Sequence, residues 1–95
     1  MIESSKNSKI LVCDDDETLC YLLKEQLLEE GFSVDAVYDG KYAIEAVKAK
    51  NYDVLLLDLN MREVQGEEVL KFINDSGYNI QVIILSAQSD MKKAI

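Results

Sequence analysis

Acidic side chains and one hydroxyl stand directly after apolar runs in this sequence. Three aspartates, residues 14–16, follow the run at residues 10–13, and Asp58 follows the run at residues 54–57. Ser86 follows a further apolar run. A charged group at the end of a buried strand needs a partner, a metal ion or a chemical role. These residues are therefore the first candidates for a functional site.

Apolar runs alternate along the chain with segments of helical periodicity. Short runs predict strands at residues 9–13, 32–37, 53–57 and 80–85. The spacing of Leu19, Leu22, Leu23 and Leu27 predicts a helix that begins after an Asp16 N-cap and ends at Gly31, and further helices are predicted at residues 42–50, at 66–75 and from residue 90 onward. This order predicts a doubly wound α/β domain with a parallel sheet and right-handed crossovers.

A parallel sheet of this kind binds ligands at the carboxyl ends of its strands. If the first, third and fourth strands are neighbours, Asp14, Asp15, Asp58 and Ser86 converge there. Crowded carboxylates repel one another, and a hard divalent cation such as Mg²⁺ relieves that repulsion while leaving room for a phosphate. One carboxylate could itself be the nucleophile. Taken one at a time, each of these residues could instead serve only as a helix cap.

The composition narrows the class of protein. The chain has 95 residues, a net charge of −8 and no histidine, so non-specific binding to nucleic acid or to an anionic membrane is disfavoured. Cys13 and Cys20 do not form a zinc motif and are expected to be buried or half-buried free thiols of a reducing compartment. Residues 1–8 are polar and predict a flexible tail without a signal peptide, and no apolar run is long enough to span a membrane. We expect a cytoplasmic protein.

Four segments together resemble the receiver domain of two-component response regulators, a CheY-like superfamily with a flavodoxin-like fold. They are KILVCDDDETL, YDGKYAIEAV, YDVLLLDLNMREVQGEEVL and VIILSAQSD, and they span almost the whole of residues 9–95 in the order typical of that family. The resemblance implies a signalling phosphoacceptor that takes a phosphoryl group from a sensor histidine kinase or a phosphotransfer protein. It implies no enzyme beyond self-phosphorylation and self-dephosphorylation.

The resemblance also implies a role for each site residue. Asp58 would be the phosphoacceptor, and Mg²⁺ would be bound by Asp14, Asp15, Asp58 and the backbone carbonyl of Asn60. Ser86 would be the switch hydroxyl that turns toward the phosphoryl group. The phosphate pocket would be completed by Asn60, by the small Ala87 and by Gln88, the first and last of which tune dephosphorylation in the family.

Two departures from the family pattern stand out. Arg62 occupies a position where the family commonly has proline. The family's fifth strand, which carries a lysine that binds the phosphoryl group, has no counterpart among these residues. We therefore expect a chain truncated before that strand, or a homodimer completed through the edge of the fourth strand or by swapping, or a short receiver-like protein.

Two other functions fit parts of the sequence. A receiver-like interaction module would keep the fold without phosphotransfer. A haloacid-dehalogenase-like phosphatase would use Asp14 as nucleophile and Asp16 as general acid and base, because ILVCDDDET also fits that family's first motif. The phosphatase gives Asp58 no role and lacks room for that family's flap before the first helix. The aspartate that becomes phosphorylated distinguishes the two.

Overall fold

Strands and helices alternate throughout the part of the chain that can be described. The computed structural model describes residues 8–59, 61 and 66–85. Its elements, in chain order, are β1 (Lys9–Cys13), α1 (Glu17–Glu29), β2 (Ser33–Val37), α2 (Gly40–Ala49), β3 (Val54–Leu57), α3 (Gly66–Ser76) and β4 (Gln81–Ile84). The predicted β-α-β-α-β-α-β order is confirmed, and the predicted bounds differ from these by one or two residues at several ends.

The strands form one parallel sheet in the order β2-β1-β3-β4. The central strand β1 pairs Cys13 with Val37 of β2 on one side and with Leu57 of β3 on the other. On the far side of β3, Leu57 pairs with Ile84 of β4. The first, third and fourth strands are therefore neighbours, as the proposed convergence of site residues requires.

The core consists of two apolar layers, one on each face of the sheet. Leu11 and Cys13 of β1 belong to the layer that includes Ala43 and Val47 of α2 and Val69 and Ile73 of α3. The alternate β1 residues Ile10 and Val12 belong to the layer that includes Cys20 of α1. Because side chains alternate between the faces of a strand, a strand covered on both faces must be apolar throughout. This explains the continuous apolar run of β1.

Helix α1 begins and ends as its sequence predicts. The Leu19 N–H donates to the Asp16 side chain at 3.1 Å, so Asp16 is the N-cap. The helix ends at a Glu30 C-cap followed by Gly31 with a φ of 98°. Its inner face differs from the predicted leucine stripe in one place, because Leu22 is 57% exposed while Cys20 is fully buried. The Cys20 side chain packs in the buried cluster that includes Ile10, Val12 and Val34.

Several predicted features lie outside the described residues. They are residues 1–7 of the tail predicted at residues 1–8, the residues Asn60, Ser86, Ala87 and Gln88, and the helix expected from residue 90. Of the helices in the described ranges, none combines the length and the apolar composition needed to cross a bilayer.

Candidate functional site

The sheet register brings two aspartates together at its carboxyl edge. Cys13 and Leu57 are register partners at the ends of β1 and β3, so the next residues, Asp14 and Asp58, leave the sheet side by side. The Asp58 N–H donates to the Cys13 carbonyl at 2.9 Å, and the Asp14 N–H donates to the Val37 carbonyl at 3.2 Å. Main-chain hydrogen bonds therefore fix the backbone positions of both aspartates, independently of any contact between their side chains.

Three carboxylates converge at this edge. One oxygen from each of Asp14, Asp15 and Asp58 lies within 4.8 Å of the other two. Asp14 and Asp58 are each only 5% exposed, whereas Asp15 is partly exposed. Burying charged groups of one sign so close together is costly unless a cation or a proton compensates for them. Three of the four residues predicted to converge are therefore brought together, and the fourth, Ser86, lies outside the described residues.

The surroundings of Asp14 oppose its ionisation. Burial raises the pKa of its carboxyl group above the ordinary value, and the charges of Asp58 and Asp15 raise it further. The Asp16 N–H, which donates to Asp14 Oδ1 at 2.9 Å, acts in the opposite direction by stabilising the anion. Among the described residues, the charged side chains that act on the Asp14 carboxyl group, those of Asp58, Asp15 and Asp16, are all acidic.

A hard divalent cation fits this donor set. Mg²⁺ binds oxygen ligands at about 2.0–2.1 Å, so two of its ligands stand at most about 4.2 Å apart. Carboxylate oxygens within 4.8 Å of one another reach that spacing after small side-chain rotations. One partly exposed member, Asp15, leaves the group open to solvent, where water and a phosphate can complete an octahedron. The residues present therefore suit Mg²⁺ better than a soft metal.

The Asp16 carboxylate does not join the group that could bind a metal ion. Its carboxylate accepts the Leu19 N–H as the cap of α1, and it is not part of the group formed by the other three aspartates. The phosphatase alternative needs Asp16 as general acid and base beside an Asp14 nucleophile. A carboxylate committed to a helix terminus is poorly placed for that work.

Both cysteine thiols contact residues close to the acidic group, and nothing in the sequence indicated these contacts. The Cys20 thiol donates to the Asp14 carbonyl at 3.2 Å. The Cys13 thiol lies 3.5 Å from the Asp39 carbonyl and 3.5 Å from Sδ of the buried Met61. Burial raises the pKa of Cys13 to about 12 and that of Cys20 to about 11, so both stay protonated. They are free thiols, as predicted, and they are not nucleophiles.

A cavity of about 630 Å³ opens at the opposite, amino edge of the sheet, away from the acidic group. Lys50 and Tyr52 both line it, and both donate to the Asp35 carboxylate, at 3.1 and 2.6 Å. Asp35, Lys50 and Tyr52 thus satisfy one another's polar groups within the wall of this cavity. The group of three carboxylates lies at the carboxyl edge instead.

The rest of the predicted site belongs to residues after Asp58 and after β4. Asn60, Ser86, Ala87 and Gln88 fall outside the described residues, so their predicted roles remain predictions. Leu85, just before Ser86, donates its N–H to the Leu57 carbonyl at 2.8 Å.

Comparison with known proteins identifies response regulators as relatives of this chain. A family model described as "Response regulator receiver domain" matches residues 10–95. The "Transcriptional regulatory protein CutR" of Streptomyces coelicolor is 32% identical over 87 residues, which are 92% of this chain and 40% of that protein. The chain thus spans well under half the length of this relative.

Solved receiver structures share the fold. Response regulator TrrA of Thermotoga maritima, solved in complex with Mg²⁺-BeF, is 35% identical with a TM-score of 0.76, and the match covers 81% of this chain and 67% of that one. TrrA in complex with the histidine kinase ThkA is also 35% identical, with a TM-score of 0.75 over 81% of this chain and 66% of TrrA.

Proposed function

Because the chain belongs to the response regulator receiver domain family, we propose that Asp58 is its phosphoacceptor and that Asp14 and Asp15 bind Mg²⁺ beside it. The observation that carries the proposal is the convergence of the three carboxylates within 4.8 Å of one another at the carboxyl edge of the sheet. Receiver domains bind Mg²⁺ at their acidic site, and the related TrrA was solved with Mg²⁺-BeF.

The transfer that Asp58 performs is a displacement at phosphorus. A carboxylate oxygen of Asp58 attacks the phosphoryl group and forms an acyl phosphate, while the bond from phosphorus to the donor breaks and the donor keeps the electron pair. Mg²⁺, when bound, supplies positive charge for the phosphoryl oxygens. Asp58, directly after β3, is only 5% exposed, and its main-chain bond to Cys13 helps to fix the position of its side chain.

The remaining residues of the proposed site follow Asp58 and β4 in the sequence. Asn60 would offer its backbone carbonyl to the metal, and Ser86 would donate its hydroxyl to the phosphoryl group. Ala87 would leave space for that group, and Gln88, like the Asn60 side chain, would set how long it lasts. A phosphoryl group adds negative charge and strong acceptor oxygens. It would favour the loop arrangement in which Ser86 faces it, and so shift an existing equilibrium.

The phosphoryl donor is proposed to be a sensor histidine kinase or a phosphotransfer protein. The support is the related TrrA, which was solved in complex with the histidine kinase ThkA. Both partners of such a transfer meet in the cytoplasm, and the buried free thiols suit a reducing compartment. The output of the whole protein is outside this proposal, because the chain covers 40% of the CutR relative.

Intact-mass spectrometry after incubation with Mg²⁺ and acetyl phosphate tests the proposal. We expect the wild type to gain one phosphoryl group, and we expect EDTA or the Asp58→Asn substitution to abolish the gain. Asp53→Asn is the matched control, because Asp53 lies at the other edge of the sheet, where it accepts the Lys9 N–H at 2.8 Å. It should be phosphorylated like the wild type.

Two results would contradict the proposal in different ways. Mg²⁺ binding without any phosphoryl gain in the folded chain would indicate the interaction module without phosphotransfer. A gain that persists in Asp58→Asn and is lost in Asp14→Asn would indicate the phosphatase-like chemistry instead.

A further inference from the structure

Helix α3 begins in direct contact with the main chain of the proposed phosphoacceptor. Gly66, the first residue of α3, is buried, and its N–H donates to the Leu59 carbonyl at 3.2 Å. A Cβ atom at Gly66 would lie inside van der Waals contact of the Asp58 carbonyl oxygen and of the Leu59 Cα, and 3.0 Å from the Asp58 carbonyl carbon. All three are backbone atoms, so no side-chain rotation can relieve the overlap.

The Asp58 peptide is thus held from two sides. On the sheet side its N–H donates to the Cys13 carbonyl at 2.9 Å. On the helix side its carbonyl group packs against the Cα of Gly66 with no space for a methyl group. Because the Asp58 N–H is held by Cys13, a displacement of the Asp58 carbonyl carbon turns the residue about its N–Cα bond, and the Cβ atom and its carboxylate turn with it. Sites that bind metal or phosphate lose function when such support shifts by about 1 Å.

We propose that Gly66 is a positioning residue for the Asp58 carboxylate, which it holds in register with Asp14 and Asp15 by the close approach of α3 to the Asp58–Leu59 peptide. This inference rests on the proposed function, because it concerns the same carboxylate. Gly66 touches neither the metal nor the phosphoryl group. Its effect passes through the main chain of Asp58.

The chain offers a matched control in Gly77. This glycine has a φ of 74°, which side chains rarely adopt, yet a Cβ atom there would meet nothing within 4 Å. Gly77→Ala therefore strains the backbone after α3 without contact with the acidic site. Gly66→Ala and Gly77→Ala should both lower the thermal midpoint, so a comparison between them separates loss of stability from loss of positioning.

The test is Mg²⁺ affinity, measured by titration calorimetry, with the rate of phosphorylation by acetyl phosphate as a second readout. We expect Gly66→Ala to weaken Mg²⁺ binding by about tenfold or more, as loss of outer support does at metal sites, and to slow phosphorylation. Gly77→Ala should match the wild type in both. Equal Mg²⁺ affinity in the two folded variants would overturn the positioning role while leaving the proposed function intact. A wild type that binds no Mg²⁺ would overturn the proposed function itself.

Amide NMR of the wild type covers the case in which Gly66→Ala does not fold. Because the Gly66 N–H donates to the carbonyl beside Asp58, we expect Mg²⁺ to shift the Gly66 amide resonance together with those of Asp15 and Asp58. The Gly77 amide should not move. A Gly66 resonance that stays fixed while the aspartates respond would contradict the proposal without any variant.

Discussion

Two buried or half-buried aspartates of this domain show how surroundings decide what a carboxylate does. Asp35, on β2, accepts a hydrogen bond from the Tyr52 hydroxyl at 2.6 Å and from Lys50 at 3.1 Å, and these partners hold its pKa below the ordinary value. Asp14 is more deeply buried, has acidic neighbours, and has a raised pKa. Asp35 is thus a satisfied structural group, whereas Asp14 belongs to a group that a cation would stabilise.

The bond from Tyr52 to Asp35 gives a prediction at this scale. Tyr52→Phe should lower the free energy of unfolding at neutral pH by about 1 kcal/mol, because it removes a hydrogen bond to a charged acceptor that is partly solvent-screened. Denaturant unfolding measures this, with Tyr42→Phe as control because Tyr42 is 60% exposed. Phosphorylation should be unchanged, since the bond lies at the amino edge.

The same bond should depend on pH. The pKa of Asp35 is lower in the folded state than in the unfolded state, mainly because of Tyr52. Its contribution is therefore present above the unfolded pKa and is lost as the pH falls through the folded value. We expect the difference between wild type and Tyr52→Phe to shrink in acid. A difference that grows as the pH falls would show that the carboxylate is not the acceptor that matters.

At the scale of the elements, the residue before α1, Asp16, has a structural role although it lies next to aspartates of the proposed metal site. Asp16 caps the helix, while its main-chain N–H donates to the Asp14 side chain. Asp16→Ala should cost about 1 kcal/mol of stability, and Asp16→Asn should cost little because asparagine caps equally well. Both variants should still accept a phosphoryl group at Asp58. Loss of phosphorylation in the well-folded Asp16→Asn variant would contradict the assignment of Asp16 as a cap.

The strands and their apolar runs were predictable because parallel strands covered on both faces must be apolar throughout. The caps at Asp16 and Gly31 were predictable for a similar reason, since few residue types serve there. The burial of Cys20 was expected, but the exposure of Leu22 was not predictable, because the spacing of the leucines does not reveal which of them faces the sheet. The contact of Gly66 with the Asp58–Leu59 peptide was not predictable either, because the sequence does not show that the start of α3 returns to that peptide.

At the scale of the whole molecule, the outer side of β4 is open in the part of the chain that the structure describes. There β4 pairs only with β3, and Ile83 and Ile84 are 47% and 37% exposed. An apolar strand edge pairs readily with another strand. We expect the 95-residue chain to self-associate as its concentration rises, as the predicted homodimer through this edge requires.

Sedimentation velocity over a range of concentrations tests this expectation. Ile83→Lys should weaken the association, because a charged side chain at an edge opposes pairing. Leu22→Lys is the control, since Leu22 is also exposed but lies on α1. Equal association in both variants, or a wild type that stays monomeric throughout, would contradict a role for the β4 edge.

The most direct measurement for the central claim is to locate the phosphoryl group on the chain. The protein would be phosphorylated with acetyl phosphate and Mg²⁺, the acyl phosphate reduced with borohydride to homoserine, and the peptides sequenced by mass spectrometry. The account predicts homoserine at Asp58, the carboxylate that β3 delivers beside Asp14 and Asp15. Homoserine at Asp14 or Asp15 instead would contradict it.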